Sequence, residues 1–310
     1  MIWEKTLLRR IKMAFKSGFV AVIGRPNVGK STLMNRLVGE KVAIMSSKPQ
    51  TTRNTVRGIL TTQNSQIIFV DTPGLHKPSS KLGDFMVQSA LNTLQDVDVI
   101  LYLVEPEFKI GPGDRYIMEQ LQKVTTPVVL LINKMDLSGP DQLESCFNLY
   151  DSTGLFSRIL PVSATVGENM KMLLETIESF LPEGPHYFPE EAYTDQPERV
   201  MVAELIREKV LQYLEQEIPH GVAVVTEKMS YRGDKELTEI QAAIFCEKKS
   251  HKGIIIGKNG RKLKGIGKAA RKDIESLLGH QVHLELWVKI KEGWRDQDTI
   301  LKDLGYKQDS

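Results

Sequence analysis

The sequence predicts an α/β unit, built on a mostly parallel sheet with helices on both faces, followed by a smaller α+β unit. In the first half of the 310 residues, short apolar runs alternate with helical segments, which is the pattern of a parallel sheet. Between residues 181 and 198, four prolines and five acidic residues indicate a semi-extended linker. In the second half, Gly233-Asp234-Lys235 separates two alternating stretches, which is a hairpin signal.

These observations divide the chain into an N-terminal extension (1–16), an α/β domain (17–181), a linker (182–199) and an α+β domain (200–310). The extension mixes apolar and basic residues, which fits either a frayed helical end or a basic amphipathic helix on anionic lipid or RNA. The net charge of +2 says little about the partners of the protein, because the two halves of the chain differ in charge. The two cysteines are far apart, which argues against a disulfide framework or zinc site and agrees with a reducing cytosol. The sequence contains no run of about 18 apolar residues, which is the length that a membrane-spanning helix needs.

A phosphate-binding loop follows the first apolar run, Phe19–Ile23. Residues 24–31 fit the pattern Gly-x-x-x-x-Gly-Lys-Ser, and residues 32–37 continue as a helix. The two glycines let backbone N–H groups surround a phosphate, at which the helix N-terminus also points. The lysine adds charge at the outer phosphates, and the serine offers a hydroxyl to Mg²⁺. The expected cofactor contacts are Gly24, Arg25, Pro26, Asn27, Val28, Gly29, Lys30, Ser31 and Thr32.

Two later segments predict contacts to a γ-phosphate and its magnesium. The polar loop 41–54 contains Thr51-Thr52-Arg53, in which a threonine completes the magnesium shell. Asp-Thr-Pro-Gly follows the strand predicted at 66–70; its carboxylate holds magnesium through water, and its glycine N–H meets the γ-phosphate. The expected cofactor contacts are Asp71, Thr72, Pro73 and Gly74. The expected magnesium site is Ser31, Thr52 and Asp71, and the expected catalytic residues are Lys30, Thr52 and Gly74.

The motif Asn133-Lys134-Met135-Asp136 follows the apolar run 126–132 and predicts the base. A carboxylate at position 136 accepts hydrogen bonds from N1–H and the 2-amino group of guanine, whereas adenine lacks that amino group and has an acceptor at N1. A buried unmade hydrogen bond costs roughly 1–3 kcal/mol, which discriminates between the bases. Asn133 is expected at the base edge and against neighbouring loops, and Lys134 over the ring. Backbone N–H groups of Ser163, Ala164 and Thr165 are expected at guanine O6.

The chain contains, in this order, a phosphate loop, a threonine loop, Asp-x-x-Gly, Asn-Lys-x-Asp and Ser-Ala-x, and this order resembles that of translation-factor class P-loop GTPases. The sequence Gly-Arg-Pro-Asn-Val-Gly-Lys-Ser together with Thr-Thr-Arg resembles the Era family. The resemblance implies an α/β P-loop GTPase fold, GTP or GDP with Mg²⁺ as cofactors, and a K⁺ ion contacted by Asn27. Leu75 stands where Ras-type enzymes have the glutamine that orients the attacking water. Unaided hydrolysis is therefore expected to be slow, on the order of 10⁻⁴–10⁻² s⁻¹.

The second half predicts a nucleic-acid clamp. An amphipathic helix at 200–218, strands at 221–232 and 236–247, a helical region and a strand at 280–290 give the order of a type II KH domain, with a closing helix at 296–304. Residues 248–272 hold ten basic residues and no acidic one, which predicts a polyanionic partner. Their Gly-x-x-Gly is the loop with which KH domains clamp about four nucleotides. The expected RNA contacts are Gly257, Lys258, Asn259, Gly260, Arg261, Lys262, Lys264 and Lys268.

A GTPase domain with one C-terminal KH domain resembles the Era family over roughly residues 17–305. The resemblance implies binding near the 3′ end of 16S ribosomal RNA and assistance to assembly of the 30S subunit. It also implies a monomeric cytoplasmic protein with peripheral contact to the inner membrane surface. The hypothesis is a switch in which GTP orders the loops and biases how the KH domain docks. Two alternatives are an RNA-binding scaffold with a structural nucleotide and an ATP-dependent phosphotransferase.

Overall fold

A six-stranded sheet forms the centre of the N-terminal domain in the computed structural model, which describes residues 15–46, 48, 51–75, 80–214, 221–234 and 236–306. Its strands are β1 (Lys16–Gly24), β2 (Val56–Thr61), β3 (Ser65–Asp71), β4 (Val99–Val104), β5 (Val128–Ile132) and β6 (Arg158–Pro161). They lie in the order β2-β3-β1-β4-β5-β6, and only the β2–β3 pair is antiparallel. The predicted mostly parallel sheet is confirmed.

Helices cover both faces of this sheet, which is why its central strands are continuously apolar. Every residue of β4 and β5 is buried. The helices are α1 (Lys30–Val38), α2 (Lys81–Thr93), α3 (Pro112–Leu121), α4 (Pro140–Asp151) and α5 (Met170–Phe180). Helices α1 and α5 pack on one face, and α2, α3 and α4 pack on the other. Loops that follow the parallel strands therefore meet at one edge, where sites of such sheets lie.

The linker predicted at 182–199 lies along the N-terminal domain. The Ile59 N–H donates to the Tyr193 carbonyl at 2.9 Å. The Gln66 side-chain oxygen accepts from the N–H groups of Tyr187 and Phe188 at 2.7 and 3.0 Å. The segment is thus fixed to the β2–β3 side of the sheet by hydrogen bonds that its proline-rich composition does not reveal.

The C-terminal domain has the predicted KH order of helix, strand, strand, helix, helix, strand. Its elements are α6 (Glu198–Tyr213), β7 (Ala223–Arg232), β8 (Leu237–Cys246), α7 (Lys249–Ile256), α8 (Arg261–Leu278), β9 (Gln281–Ile290) and α9 (Asp298–Asp303). Strand β8 is central, antiparallel to β7 and parallel to β9. The sheet packs against α6, α7 and α8 through an apolar cluster that includes Ile206, Ile240 and Ile266.

Helix α6 differs from its prediction in two respects. It ends at Tyr213 rather than at residue 218, and residues 215–220 lie outside the described part of the chain. The predicted amphipathic character is wrong, because polar as well as apolar side chains of the helix are buried. Val202 and Ile206 belong to the KH core, whereas Arg207 and Glu208, each 1% exposed, contact the N-terminal domain. The helix is buried between the domains, a situation that its sequence period does not encode.

The N-terminal extension lies outside the described residues, except for residues 15 and 16. Within the ranges that the structure covers, no helix combines the length and apolar character needed to cross a bilayer.

Candidate functional site

The loop between β1 and α1 has the backbone conformation of an anion cradle. Gly24 and Gly29 have φ angles of +149° and +103°, and a Cβ on Gly29 would lie 2.3 Å from the Asn133 side-chain nitrogen. Only glycine fits there, because it tolerates positive φ and leaves room for the asparagine. The Lys30 ammonium lies over the loop and donates to the carbonyls of Gly24 and Arg25 at 3.1 and 3.0 Å. A phosphate in this loop would meet that ammonium and the N-terminus of α1.

The Arg25 side chain points away from this cradle. Its guanidinium forms ion pairs with Glu107 at 2.5 Å and with Asp114 at 3.1 Å. The Tyr102 hydroxyl donates to the same Asp114 at 2.8 Å, and burial raises the pKa of that carboxyl group. Arg25 is thus an anchor of the loop on α3, and only its backbone remains for the cofactor contact that the sequence predicts.

The three residues predicted to hold magnesium converge. The Asp71 carboxylate oxygen Oδ2 accepts from the Ser31 hydroxyl at 2.8 Å and from the Thr52 hydroxyl at 3.1 Å, and the two hydroxyls are 3.2 Å apart. Neighbouring ligands of an octahedral Mg²⁺, each about 2.1 Å from the ion, are about 3.0 Å from one another. The spacing of the two hydroxyl oxygens therefore suits direct ligands of the ion, with Asp71 beside them for the predicted contact through water.

The electrostatics of Asp71 also suit a cation. Its second oxygen, Oδ1, is buried and has no hydrogen-bond partner within the part of the chain that the structure describes. Burial raises the pKa of Asp71 and lowers that of Lys30, while each charge favours the ionised form of the other. A buried carboxylate oxygen without a donor is costly, and a hard cation is a partner that removes this cost.

A cavity of about 740 Å³ adjoins these groups. Its wall includes Asn27, Thr32 and most of the phosphate loop, together with Thr52, Gly74 and Lys134. Several lining residues lie outside every predicted motif: Ile44, Met45, Ser46, Lys48, Leu211, Gln212 and Leu214. Leu211 and Gln212 lie at the end of α6 and Leu214 directly follows it, so the C-terminal domain forms part of the nucleotide cavity. No sequence signal marks this, because it depends on how the domains pack.

Asn133 joins the phosphate loop to the Ser-Ala-Thr segment. Its amide nitrogen donates to the Val28 carbonyl at 2.7 Å, and its oxygen accepts from the Ala164 N–H at 3.0 Å. The Ser163 N–H donates to the Glu168 carbonyl at 3.3 Å. Two of the three backbone N–H groups predicted at guanine O6 thus donate within the chain. The Thr165 N–H is the remaining candidate for that contact.

The rest of the Asn-Lys-x-Asp motif is accessible to a ligand. Asp136 is exposed on a single helical turn that follows Lys134, whose φ is +63°. The Lys134 ammonium pairs with Glu105.

The segment after β3 divides into residues that face the cavity and residues that do not. Gly74 packs so closely on Pro26 that a Cβ would lie 3.2 Å from it. The Thr72 hydroxyl donates to the Val22 carbonyl at 3.1 Å and fixes the turn, which leaves the backbone of Thr72 for the predicted cofactor contact. Pro73 is buried beside it. Leu75 is 1% exposed and belongs to the core under α2. No side chain at position 75 therefore reaches an attacking water.

A second candidate site is a groove of about 490 Å³ between α8 and β9. It is lined by Gly260, Leu263, Lys264, Gly267, Lys268, Arg271, Leu284 and Leu286. Leucines form its floor and cations its rim, an arrangement that suits the bases and phosphates of a single strand. The other predicted RNA contacts lie in the loop and the first turn of α8. Sequence reasoning missed Arg271, although its spacing from Lys264 and Lys268 places it on the same helix face.

The Gly-x-x-Gly loop has a left-handed backbone at its end of the groove. Gly257, Asn259 and Gly260 have φ angles of +71°, +52° and +73°. A Cβ on Gly257 would lie 2.7 Å from the Cβ of Lys262, whereas a Cβ on Gly260 would have no atom within 4 Å. Gly257 is therefore required by the close approach to α8, while Gly260 leaves open space through which a nucleic-acid backbone can approach.

Comparison with known proteins gives two family matches along the chain. Residues 19–134 match the 50S ribosome-binding GTPase family, and residues 217–295 match the KH domain. The GTPase Era of Alkaliphilus metalliredigens is 60% identical over 295 residues, which are 95% of this chain and 100% of that protein. The GTPase Era of Clostridioides difficile is 59% identical over 293 residues, which are 94% and 99% of the two chains.

Two solved structures match nearly the whole chain. A crystal structure of Era in complex with MgGDPNP and nucleotides 1506–1542 of 16S ribosomal RNA has a TM-score of 0.90 and 39% identity, covering 95% of this chain and 100% of that one. Aquifex aeolicus Era bound to GDP and AlF4⁻, in a variant form, has a TM-score of 0.91 and 38% identity, with the same coverage.

The exposed Asp136 gives a test of base selection. Asp136→Asn converts an acceptor into a group that can donate, so we expect guanine nucleotides to bind roughly tenfold to hundredfold more weakly and xanthine nucleotides to gain. The measurement is competition of GTP, XTP and ATP against a fluorescent guanine nucleotide. Asp141→Asn, the same change at an exposed residue of α4, is the control and leaves the preference unaltered. Undiminished ATP use by the Asp136 variant would favour a phosphotransferase.

The open position Gly260 gives a test of the groove. Gly260→Asp places a negative charge where phosphates approach, so we expect at least about tenfold weaker RNA binding with unchanged GTP binding. Gly279→Asp is a matched control, because Gly279 has a φ of +74°, lies at the other end of α8, and would have no atom within 4 Å of an added Cβ. Filter binding to a labelled single strand reports both variants. Equal RNA affinity of the two would rule out the loop as the clamp.

Proposed function

The chain belongs to the Era family of GTPases, and on that premise we propose that it is a GTP-hydrolysing switch that binds 16S ribosomal RNA near its 3′ end and assists assembly of the 30S subunit. The observation that carries the proposal is the convergence of Ser31, Thr52 and Asp71 beside a phosphate loop. The same chain holds an open Gly-x-x-Gly loop at a basic groove. A 39% identical Era has been crystallised with MgGDPNP and that RNA region, which supports both halves.

In the proposed mechanism, the phosphate loop binds the triphosphate and Lys30 neutralises its outer phosphates. Ser31, Thr52 and Asp71 would hold magnesium, which supplies positive charge to the β- and γ-phosphates when bound. The Gly74 N–H would contact the γ-phosphate. Because Leu75 is buried, the chain has no side chain there to orient water, and slow unaided turnover follows. A K⁺ ion contacted by Asn27 is part of the proposal, by family resemblance.

Contacts between the domains support coupling of nucleotide to RNA. The Arg207 guanidinium on α6 donates to the Thr51 carbonyl, next to the proposed magnesium ligand. Lys41, at the start of the same loop, pairs with Glu208 on α6 at 2.7 Å and with Asp273 on α8 at 3.0 Å. Helix α8 also borders the RNA groove. A rearrangement of the loop would therefore act on α8, and through α8 on the groove.

The family resemblance also supports a monomeric cytoplasmic protein with peripheral contact to the inner membrane surface. The basic segment before residue 15 is the part of the sequence that suits anionic lipid.

The switch makes a reciprocal prediction. If GTP biases the KH domain toward RNA binding, RNA affinity differs between a GTP analogue and GDP, and RNA strengthens binding of the favoured nucleotide by the same factor. We expect a factor of about 5–150, the usual range of such coupling. Titration of labelled RNA with each nucleotide, and of each nucleotide with and without RNA, measures both sides.

The Gly260→Asp chain is the control for this linkage, since its nucleotide affinity does not respond to RNA. Equal RNA affinity with both nucleotides would refute the switch. If single-turnover GTP hydrolysis were also absent with and without RNA, the scaffold alternative would replace it.

A further inference from the structure

Arg53 is buried at the boundary between the domains, one residue after Thr52. It is 2% exposed. Its Nη1 donates to the Val222 carbonyl at 2.6 Å and to the Tyr306 hydroxyl at 3.3 Å, and its guanidinium lies 5.6 Å from the centre of the Trp294 ring. We call the Val222 carbonyl, Trp294 and Tyr306 the arginine socket. All three belong to the C-terminal domain, so a side chain of the nucleotide domain enters the other domain.

The arginine socket is tightly packed. The Trp294 and Tyr306 rings stack with centres 5.9 Å apart, and the Trp294 N–H donates to the Gly221 carbonyl at 3.0 Å. Trp294 is fully buried, in a cluster with Leu82 and Met86 of α2. A side chain held by such a socket has little freedom to move without displacing the rings.

The position of Arg53 therefore constrains that of Thr52. Adjacent Cα atoms are about 3.8 Å apart across a planar peptide, so neighbouring residues cannot move independently. Thr52 directs its hydroxyl to Ser31 and Asp71, while Arg207 fixes the carbonyl of the preceding residue. Within three consecutive residues, the loop is attached to the C-terminal domain on both sides of its proposed magnesium ligand.

We propose that Arg53 is a positioning residue for the GTPase reaction: the arginine socket holds Thr52 where it binds the magnesium of the triphosphate state. The inference rests on the proposed function and deepens it, since it makes the end of the chain, up to Tyr306, part of the nucleotide machinery. Arginine suits the role because its planar guanidinium donates at its edge and stacks on an aromatic ring at its face. Lysine keeps the charge but lacks the planar face.

The first test compares the affinities of two nucleotides. A threonine that binds magnesium only beside a γ-phosphate contributes to the GTP analogue and not to GDP. We expect Arg53→Gln to weaken binding of the magnesium–GTP analogue about tenfold or more and to change GDP affinity less than twofold, with Arg53→Lys intermediate. The loss for the analogue shrinks as Mg²⁺ is lowered. Fluorescent nucleotide titration over a Mg²⁺ series measures this.

Arg57→Gln is the matched control for these variants. Arg57 lies four residues further on and is half-exposed, and its partner Asp195 is outside the arginine socket. We expect Arg57→Gln to leave the affinities for the GTP analogue and for GDP unchanged. Equal weakening of analogue and GDP by Arg53→Gln would indicate general loss of structure and overturn the positioning role, as would no weakening at all.

A double-mutant cycle tests whether Arg53 acts through Thr52. If it does, Arg53→Gln has no further effect on analogue affinity in a chain that already carries Thr52→Ala. Additive losses would overturn the proposal, because they would place the action of Arg53 elsewhere. Tyr306→Phe, which removes only one hydroxyl from the arginine socket, gives a milder change in the same direction should the Arg53 variants fold poorly.

Trp294 provides a readout that does not depend on turnover. The chain has three tryptophans, and Trp3→Phe with Trp287→Phe leaves only the one in the arginine socket. We expect its emission to change with the magnesium–GTP analogue but not with GDP, and the change to vanish with Thr52→Ala. An unchanged emission with bound analogue would overturn the inference while leaving the GTPase proposal standing. A chain that bound no analogue would instead overturn the proposed function.

Discussion

The carboxylate of Asp71 is the group on which the nucleotide site depends. It ends the buried strand β3, and two hydroxyls from different segments share one of its oxygens. A buried negative charge is tolerated only where opposite charge and hydrogen bonds compensate it, and here Lys30 and the proposed magnesium do so. The loop that carries Thr52 is therefore placed by a charge at a strand end, and in the proposed switch the loss of a γ-phosphate beside Asp71 would change the position of this loop.

The loop around Thr52 lies between the domains rather than on a free surface. The end of α6 lines the nucleotide cavity, and Lys41 reaches α8. The buried members of this interface, Arg207 and Glu208 of α6, are held firmly only while their contact geometry is kept, because a buried polar group that loses its partner is penalised. The interface thus favours discrete arrangements over gradual ones, which is what a switch requires.

The nucleotide motifs were predictable from sequence because each is a short segment at a strand end, where local pattern fixes the chemistry. The KH order was predictable for the same reason, from strand alternation and the basic run. The burial of Arg207 and Glu208 was not, since α6 carries polar residues on faces that only the other domain covers. Arg53 contacts a residue 253 positions away, and no local period reports such a contact. Arg25 was assigned to the cofactor from its motif, whereas its side chain is held by Glu107 and Asp114.

The most direct test of the central claim, that the guanine nucleotide site governs the RNA-binding domain, is amide hydrogen exchange of the full chain with a magnesium–GTP analogue and with GDP. We expect protection to change together in residues 51–54 and in helices α6 and α8, since Arg207 of α6 contacts Thr51 and Lys41 of the same loop pairs with Asp273 of α8. Changes confined to the N-terminal domain, with identical exchange in α6 and α8 for both nucleotides, would contradict it.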